Sequence, residues 1–289
     1  MDYFFHILIM IGIYMILALS LNFLTGYGGL ISLAHAAFYG IGAYSYTLLV
    51  MKLAIAWPIA VFLAVLFTSF ISFLAAYPFL KLKGDYFILG TIGLQMIVFD
   101  ILYNWIPLTR GPYGIPGIPR FSILNHILNS ISENFFLLAF ITGIVFVIFF
   151  VLYKSPFTRI LKTIRENEIA TMAMGKHTNK VKIWTFVVSG GIAAVAGAIY
   201  ASYITYIDPT SFSLDESIFI LTIVLVGGAG NLKGPLVGAC ILVVLPEILR
   251  FIGFPSTIAP NIRQIIYALL LIILMFKRPK GIAGEYGFE

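Results

Sequence analysis

Apolar stretches of about 20 residues recur along this chain, and each is long enough to cross a bilayer as a helix. Runs such as 4–24 and 135–153 contain no Asp, Glu, Lys or Arg. In hydrocarbon every backbone N–H and C=O needs a partner within the protein, so a spanning segment is a helix or part of a closed barrel. Barrel strands alternate apolar and polar residues, and these unbroken runs do not. The whole chain is 61% hydrophobic and 10% charged, whereas a soluble domain carries about 25% charged residues. So few charges cannot build a water-facing surface of this size. The reading is an all-α polytopic bundle, one transmembrane domain over residues 1–289.

The expected spans are about 4–24, 34–51, 57–80, 86–106, 135–153, 183–204, 216–232, 235–252 and 262–277. That makes about nine crossings, within a range of eight to ten. Residues 1–24 read as a retained first helix, since the start carries Asp2 and lacks the Lys or Arg of a secretory leader. The net charge of +6 comes from basic residues beside the apolar runs, which points to a membrane surface and away from nucleic acid. The connection 154–182 holds Lys154, Arg159, Lys162, Arg165, Lys176, Lys180 and Lys182 against Glu166 and Glu168. Lys81 and Lys83 mark a second basic turn, and Lys277, Arg278 and Lys280 a third. Nine alternating crossings put all three on one side, expected to be the cytoplasm, with the amino terminus outside and the carboxyl terminus inside. Cys240, the one cysteine, sits in an apolar run and reads as a small buried hydrophobe.

Ser189, Ala193, Gly197 and Ala201 form a ridge of small residues at helical spacing, a helix–helix contact within the chain or with a second subunit. Two other stretches break the apolar pattern alike. Gly26, Gly28 and Leu30 match Gly228, Gly230 and Leu232 as G-x-G-x-L. Irregular backbone at membrane depth requires protein or a wet cavity around it, and paired breaks of this kind point to a substrate path. Tight turns at the membrane surface are the other reading. Asn22, His35, Gln95, Asp100, Asn104 and Glu247 are the polar residues inside apolar runs. Glu247 is placed to pair with Arg250 three residues on, and His35 reads as a hydrogen-bonded packing residue. No His, Cys or carboxylate spacing suits a metal, and no nucleophile–base set is readable.

Within the basic connection, Phe157, Ile160, Leu161 and Ile164 recur at one helical face, with Arg159, Lys162, Arg165 and Glu166 on the others. Gly175 is a natural stop. Such an amphipathic helix lies on lipid headgroups or docks into a partner's groove.

The run Ile164-Arg165-Glu166-Asn167-Glu168-Ile169-Ala170, with Met174-Gly175 after it, resembles the cytoplasmic coupling loop of branched-chain amino acid ABC importer permeases. Asn22-x-x-Thr25-Gly26-Tyr27-Gly28-Gly29-x-Ile31-Ser32-Leu33-Ala34-His35-Ala36-Ala37-Phe38 is similar to that family's amino-terminal signature. Gly227-Gly228-Ala229-Gly230 with Gly234-Pro235 also agrees. Gly111-Pro112-Tyr113-Gly114-Ile115-x-Gly117-Ile118-Pro119 and the closing Arg278-Pro279-x-Gly281 favour the LivM-like subunit over its LivH-like sister. Thr158 departs from the family, which more often has glycine before the arginine, and is expected to stiffen the start of the segment.

The resemblance implies a permease domain in the cell inner membrane, with a LivH-like sister permease, two cytoplasmic ATP-binding subunits and a periplasmic amino-acid-binding protein. It implies ATPase coupling through Ile164, Arg165, Glu166, Glu168, Ala170 and Gly175. A substrate path along Asn22, Gly26, Gly28, His35, Gly228 and Gly230 follows from the glycine breaks and their polar neighbours. The chain has no G-x-x-x-x-G-K-[ST] loop, so ATP and Mg belong to partner subunits, and no cofactor is expected here. The family includes urea and short-chain amide importers, which leaves leucine, isoleucine, valine and urea open as cargo. Two other classes fit less well: an ion-coupled carrier using Asp100 and Glu247, and an intramembrane enzyme, for which the sequence offers no readable catalytic set.

Overall fold

The computed structural model describes residues 2–82, 84–123, 126–127, 130–251 and 281–284, with isolated positions between 265 and 276. For 123, 126–127 and 248–251 it describes backbone alone. Helix α1 runs Asp2–Asn22 and continues as a π-helical turn, Phe23–Tyr27. Then come α2 (His35–Leu53), α3 (Trp57–Phe79), α4 (Asp85–Asn104) and the short α5 (Ile106–Thr109). Helix α6 (Ile131–Lys154) opens on a capping box between Ser130 and Glu133. Two short helices, α7 (Pro156–Glu166) and α8 (Glu168–Ala173), precede α9 (Thr178–Ile204), α10 (Leu214–Gly227) and α11 (Lys233–Phe251).

Side-chain contacts give the helix directions. Phe5 meets Phe135 at 5.4 Å and Phe23 meets Phe149 at 5.6 Å, so α1 and α6 run parallel. Ser72 donates to the Phe186 carbonyl (2.8 Å), while a Cβ on Gly191 would meet Ser69, so α3 and α9 are antiparallel. Tyr27, Phe79, Lys154 and Thr178 therefore gather at one end of the bundle, with Lys81 and the 154–182 connection. Residues 281–284 stand there as well, because Ile282 and Ala283 donate to the carbonyls of Val226 and Gly227 (3.0 and 2.9 Å). Lys81 and the 154–182 connection thus share one end, as expected from charge. Lys83, Lys277, Arg278 and Lys280 lie outside the described residues, as do the Arg250 side chain and half of the expected span 262–277.

Among the described residues five helices are long and apolar enough to cross a membrane: Asp2–Tyr27, Trp57–Phe79, Asp85–Asn104, Ile131–Lys154 and Thr178–Ile204. The lipid-compatible character shows on their outer faces, where Phe62, Phe70, Phe136 and Phe140 are exposed. One expected span is corrected. Residues 216–232 do not form one helix: α10 stops at Gly227, where an added Cβ would lie 2.0 Å from the Gly234 carbonyl oxygen. At 14 residues α10 is about 21 Å long. Its first turn lies at mid-helix depth of α4, since Gln95 donates to the Phe212 carbonyl (2.7 Å) and accepts from Ser217 (3.1 Å). Gln95 also accepts from the Ala37 N–H (2.7 Å), so α2 starts at the same buried level. Cys240 is exposed on α11 among the described residues, rather than buried as expected.

The small-residue ridge on α9 is a contact within the chain. Ser189 donates to the Ser20 carbonyl (2.6 Å), and a Cβ on Gly197 would sit 2.3 Å from the Tyr39 carbonyl oxygen. Across the same seam, a Cβ on Gly42 would sit 2.3 Å from Ala194 Cα. Backbones this close gain dispersion contacts that lipid cannot supply. At the other end of the bundle, Ile115–Pro116 pairs antiparallel with Tyr206–Ile207, tying the Gly111–Pro119 segment to the end of α9. Overpacking a close seam costs about 1–3 kcal/mol. Gly197→Leu should therefore lower the thermal unfolding midpoint in detergent, and an unchanged midpoint would show that α2 and α9 are not so tightly joined.

Candidate functional site

The two glycine breaks, about 200 residues apart in sequence, meet at the basic end of the bundle. Asn22, fully buried at the end of α1, holds them together: its Oδ1 accepts from the Gly230 N–H (3.0 Å) and its Nδ2 donates to the Asn231 carbonyl (3.0 Å). Gly26 is required here. A Cβ on it would fall 2.2 Å from Asn22 Oδ1 and 2.4 Å from the Gly230 nitrogen. The π-turn at Phe23–Tyr27 shifts the helix so that this backbone faces its partner, a use typical of such turns. Gly228 and Gly230 have positive φ (111° and 79°), the region that favours glycine, and 281–284 pack directly against Gly228.

The basic connection grips this junction from below. Arg165, its side chain 11% exposed, donates from Nη1 to the Gly26 carbonyl (2.6 Å) and from Nη2 to Glu166 (2.8 Å). Its aliphatic stem covers Gly29, where a Cβ would meet Cγ at 2.7 Å. Leu161 and Ile164 are buried, with Leu161 against Gly28, and Phe157 stacks on Phe23 at 6.2 Å. The Lys162 ammonium lies 4.7 Å from the Tyr153 ring centre and 5.4 Å from that of Tyr27. The expected amphipathic face thus packs on the chain's own α1 and α6, not on headgroups.

The segment is also two helices rather than one. Asn167 leaves helical geometry (φ −157°, ψ 102°) and caps α8 through the Ala170 N–H (3.0 Å). Glu168 pairs with Lys182 of α9 at 2.6 Å. Gly175, at φ +76°, ends α8 as a Schellman motif, with Lys176 donating to Thr171 and Gly175 to Met172. Thr158 is buried and donates to the Leu152 carbonyl (2.6 Å), bracing the α6–α7 corner as the departure from glycine implied. Beyond the elbow, Ile169, Met172 and Met174 are 77, 48 and 63% exposed. Patterning missed this second patch because it lies off the face of α7.

A cavity of about 730 Å³ occupies the other half of the bundle, bounded by α1, α10 and α11 and lined among others by His6, Tyr14, Glu216, Thr222 and Glu247. Thr222, which lines the cavity, lies five residues before Gly227 on α10. None of the six path candidates lines it. Asn22, Gly26, Gly28, Gly228 and Gly230 build the junction instead. His35 is buried, its Nε2 at 2.7 Å from the Ser20 hydroxyl, which itself donates to the Leu17 carbonyl (2.8 Å). Asp100 and Asn104 are exposed on α4, away from the cavity. Glu216 escaped the sequence reading because it starts a helix that appeared to begin there at the water boundary. Among the described residues no group of three His, Cys, Asp or Glu could hold a metal.

A helical membrane bundle with a cavity at one end and a braced, glycine-broken floor at the other is the architecture of a transport subunit. Residues 3–275 match the family described as branched-chain amino acid transport system / permease component, and the chain belongs to that family. It is 31% identical to the high-affinity branched-chain amino acid transport system permease protein LivM of Salmonella typhimurium, over 93% of this chain and 67% of that protein. It is 26% identical to a probable LivM of Methanocaldococcus jannaschii, over 96% and 92%. It is 24% identical to the LivH permease of Salmonella typhimurium, over 94% and 91%. No solved structure matches the chain.

Asn22→Ala removes both hydrogen bonds across the junction and leaves two buried backbone groups unpaired, at about 1–3 kcal/mol each. Faster amide hydrogen exchange at 227–232, with α9 unchanged, is the expected result. Unaltered exchange there would mean that Asn22 does not hold the breaks together.

Proposed function

We propose that this chain is one permease subunit of an ATP-driven importer of branched-chain amino acids, working with a sister permease of LivH type. Membership of the permease family supports the class. Arg165 is the observation that carries the mechanism, because its side chain joins the basic connection to the Gly26 carbonyl at the junction. Two cytoplasmic ATPases would dock on α7 and α8, where Ile169, Met172 and Met174 offer apolar anchors beside basic residues. A periplasmic binding protein would deliver substrate at the opposite end, near Gly111–Pro119 and Asp208–Asp215. The amino terminus then lies outside, and the carboxyl terminus lies in the cytoplasm of a cell whose inner membrane holds the complex. ATP and Mg sit on the ATPases, which do the hydrolysis; this chain contributes no catalysis.

Mechanically, the elbow has two attachments. Arg165 and Glu166 work on the junction, while the Glu168–Lys182 pair works on α9. Ile164 and Leu161 keep α7 seated, and the caps at Ala170 and Gly175 keep α8 rigid enough to transmit force. When the ATPases close or part, α7–α8 moves as a lever, Gly26 moves with Arg165, and the Asn22 bonds to Gly230 and Asn231 exchange for water. The floor beneath the cavity opens. Selectivity among leucine, isoleucine and valine rests largely with the binding protein.

The test is ATP-dependent uptake by the four-subunit complex in vesicles, with leucine, isoleucine, valine and urea as a panel. Arg165→Glu and Glu168→Lys should leave the complex assembled and hydrolysing ATP while uptake per ATP falls by roughly tenfold or more. Undiminished coupling in both variants would remove the docking assignment. Uptake by this chain alone, indifferent to ATP and abolished by an uncoupler, would instead establish an ion-coupled carrier.

A further inference from the structure

Helix α10 ends at Gly227, and the last carbonyls of a helix have no partner within it. The first of these, on Val224, takes the Gly228 N–H (2.9 Å) as the chain turns away. Two others are met from far along the sequence: Ile282 donates to the Val226 carbonyl (3.0 Å) and Ala283 to the Gly227 carbonyl (2.9 Å). Residues 281–284 thus supply a cap that is ordinarily made by the residues directly after a helix. Two glycines permit the approach. Gly281 (φ +73°) and Gly228 (φ +111°) both occupy the region that favours glycine. A Cβ on Gly281 would fall 2.6 Å from Gly228 Cα and from the Leu225 carbonyl oxygen, and one on Gly228 would fall 2.1 Å from the Gly284 nitrogen. The segment buries little of its own surface. Ile282, its one large side chain, is 41% exposed, and Gly281, Ala283 and Gly284 are half-buried. A segment attached through its backbone, with little apolar surface buried, opens at low cost.

We propose that residues 281–284 are a releasable latch on the second glycine break. Seated, the latch caps α10 and pins Gly228; lifted, it leaves the Val226 and Gly227 carbonyls to water and frees the break to move. The proposal rests on the proposed function in one respect, that the bundle opens at this junction. The break is held from two directions. Asn22 holds Gly230 and Asn231 from α1, and the latch holds Val226, Gly227 and Gly228 from the other end of the chain. Local opening of the break therefore requires both to let go. Backbone hydrogen bonds suit this duty, because each contributes little net stability where water can replace it. The facing glycines set the seated position, since any side chain at 228 or 281 would hold the two backbones apart.

Two measurements test the latch. In the purified full-length chain carrying Cys240→Ser, Ala229→Cys places a thiol at a buried position in the middle of the break, where it should react slowly with a maleimide. Ala283→Pro removes one of the two N–H donors, and Gly281→Val sets a side chain against Gly228. Each should speed the reaction roughly tenfold, the weight of about one net hydrogen bond, while Ala283→Ser, which keeps the N–H, should leave it slow. Ala198→Cys, buried on α9, should stay unreactive in every background. In the assembled complex, exchange of the Ile282 and Ala283 amides, read by mass spectrometry, should differ roughly tenfold or more between nucleotide-free and ATP-trapped states. Unchanged labelling of Ala229→Cys in both variants would overturn the latch. So would labelling of Ala198→Cys as fast as that of Ala229→Cys, because the segment would then merely hold the fold together. Identical exchange in the two nucleotide states would show a fixed brace and overturn it as well. Absence of ATP-dependent leucine uptake by the unaltered complex is a different failure: it overturns the proposed function, and the labelling in the purified chain still decides whether the latch releases the break.

Discussion

Everything in this bundle depends on how two interruptions of helical backbone are satisfied inside a membrane protein. A broken helix exposes N–H and C=O groups that hydrocarbon cannot accept. Here Asn22 supplies a donor and an acceptor to one break from the end of the helix that carries the other. Because Asn22, Gly26 and Gly230 touch directly, the two breaks stay together for as long as those contacts are made. The carboxyl-terminal residues 282 and 283 satisfy two more carbonyls at the same place, so the junction is braced from three separate parts of the chain.

Rigidity is distributed unevenly around this point. The seam between α2 and α9 brings backbones into contact at Gly42 and Gly197, and its bonds lie within one tightly packed interior. The junction, by contrast, is joined by a few hydrogen bonds between short segments, each of which water can replace. Under the proposed coupling, force arriving through α7 and α8 would meet a firm frame through Lys182 and a separable contact through Arg165. A transport subunit needs that combination: the frame preserves the seal around substrate while the contact opens.

Much of this was legible from residue order because lipid imposes simple rules. Run length located α3, α4, α6 and α9 to within a few residues, and charge placed Lys81 and the 154–182 connection at one end. The glycine pairs were visible as breaks, but a periodicity argument carries no information about which distant segment meets which, so the Asn22 contact was not readable. The kink at Asn167 was missed because the apolar repeat of α7 ends at Ile164 and the segment up to Gly175 carries no Gly or Pro to mark a break. Glu216 was missed for a different reason. Its helix starts at the buried level of Gln95, a depth that only tertiary contacts reveal, whereas Asp100 and Asn104 lie on an exposed face of α4.

The most direct test is a distance across the junction in the working complex. Spin labels at Glu166→Cys and Asn231→Cys, with Cys240→Ser to remove the native thiol, report whether the lever and the second glycine break move relative to each other. Trapping the ATP-bound complex should shift that distance by several ångströms from its nucleotide-free value, while a control pair spanning α2 and α9 stays constant. A junction distance that stays the same in both states, in a complex that still imports leucine, would contradict the account.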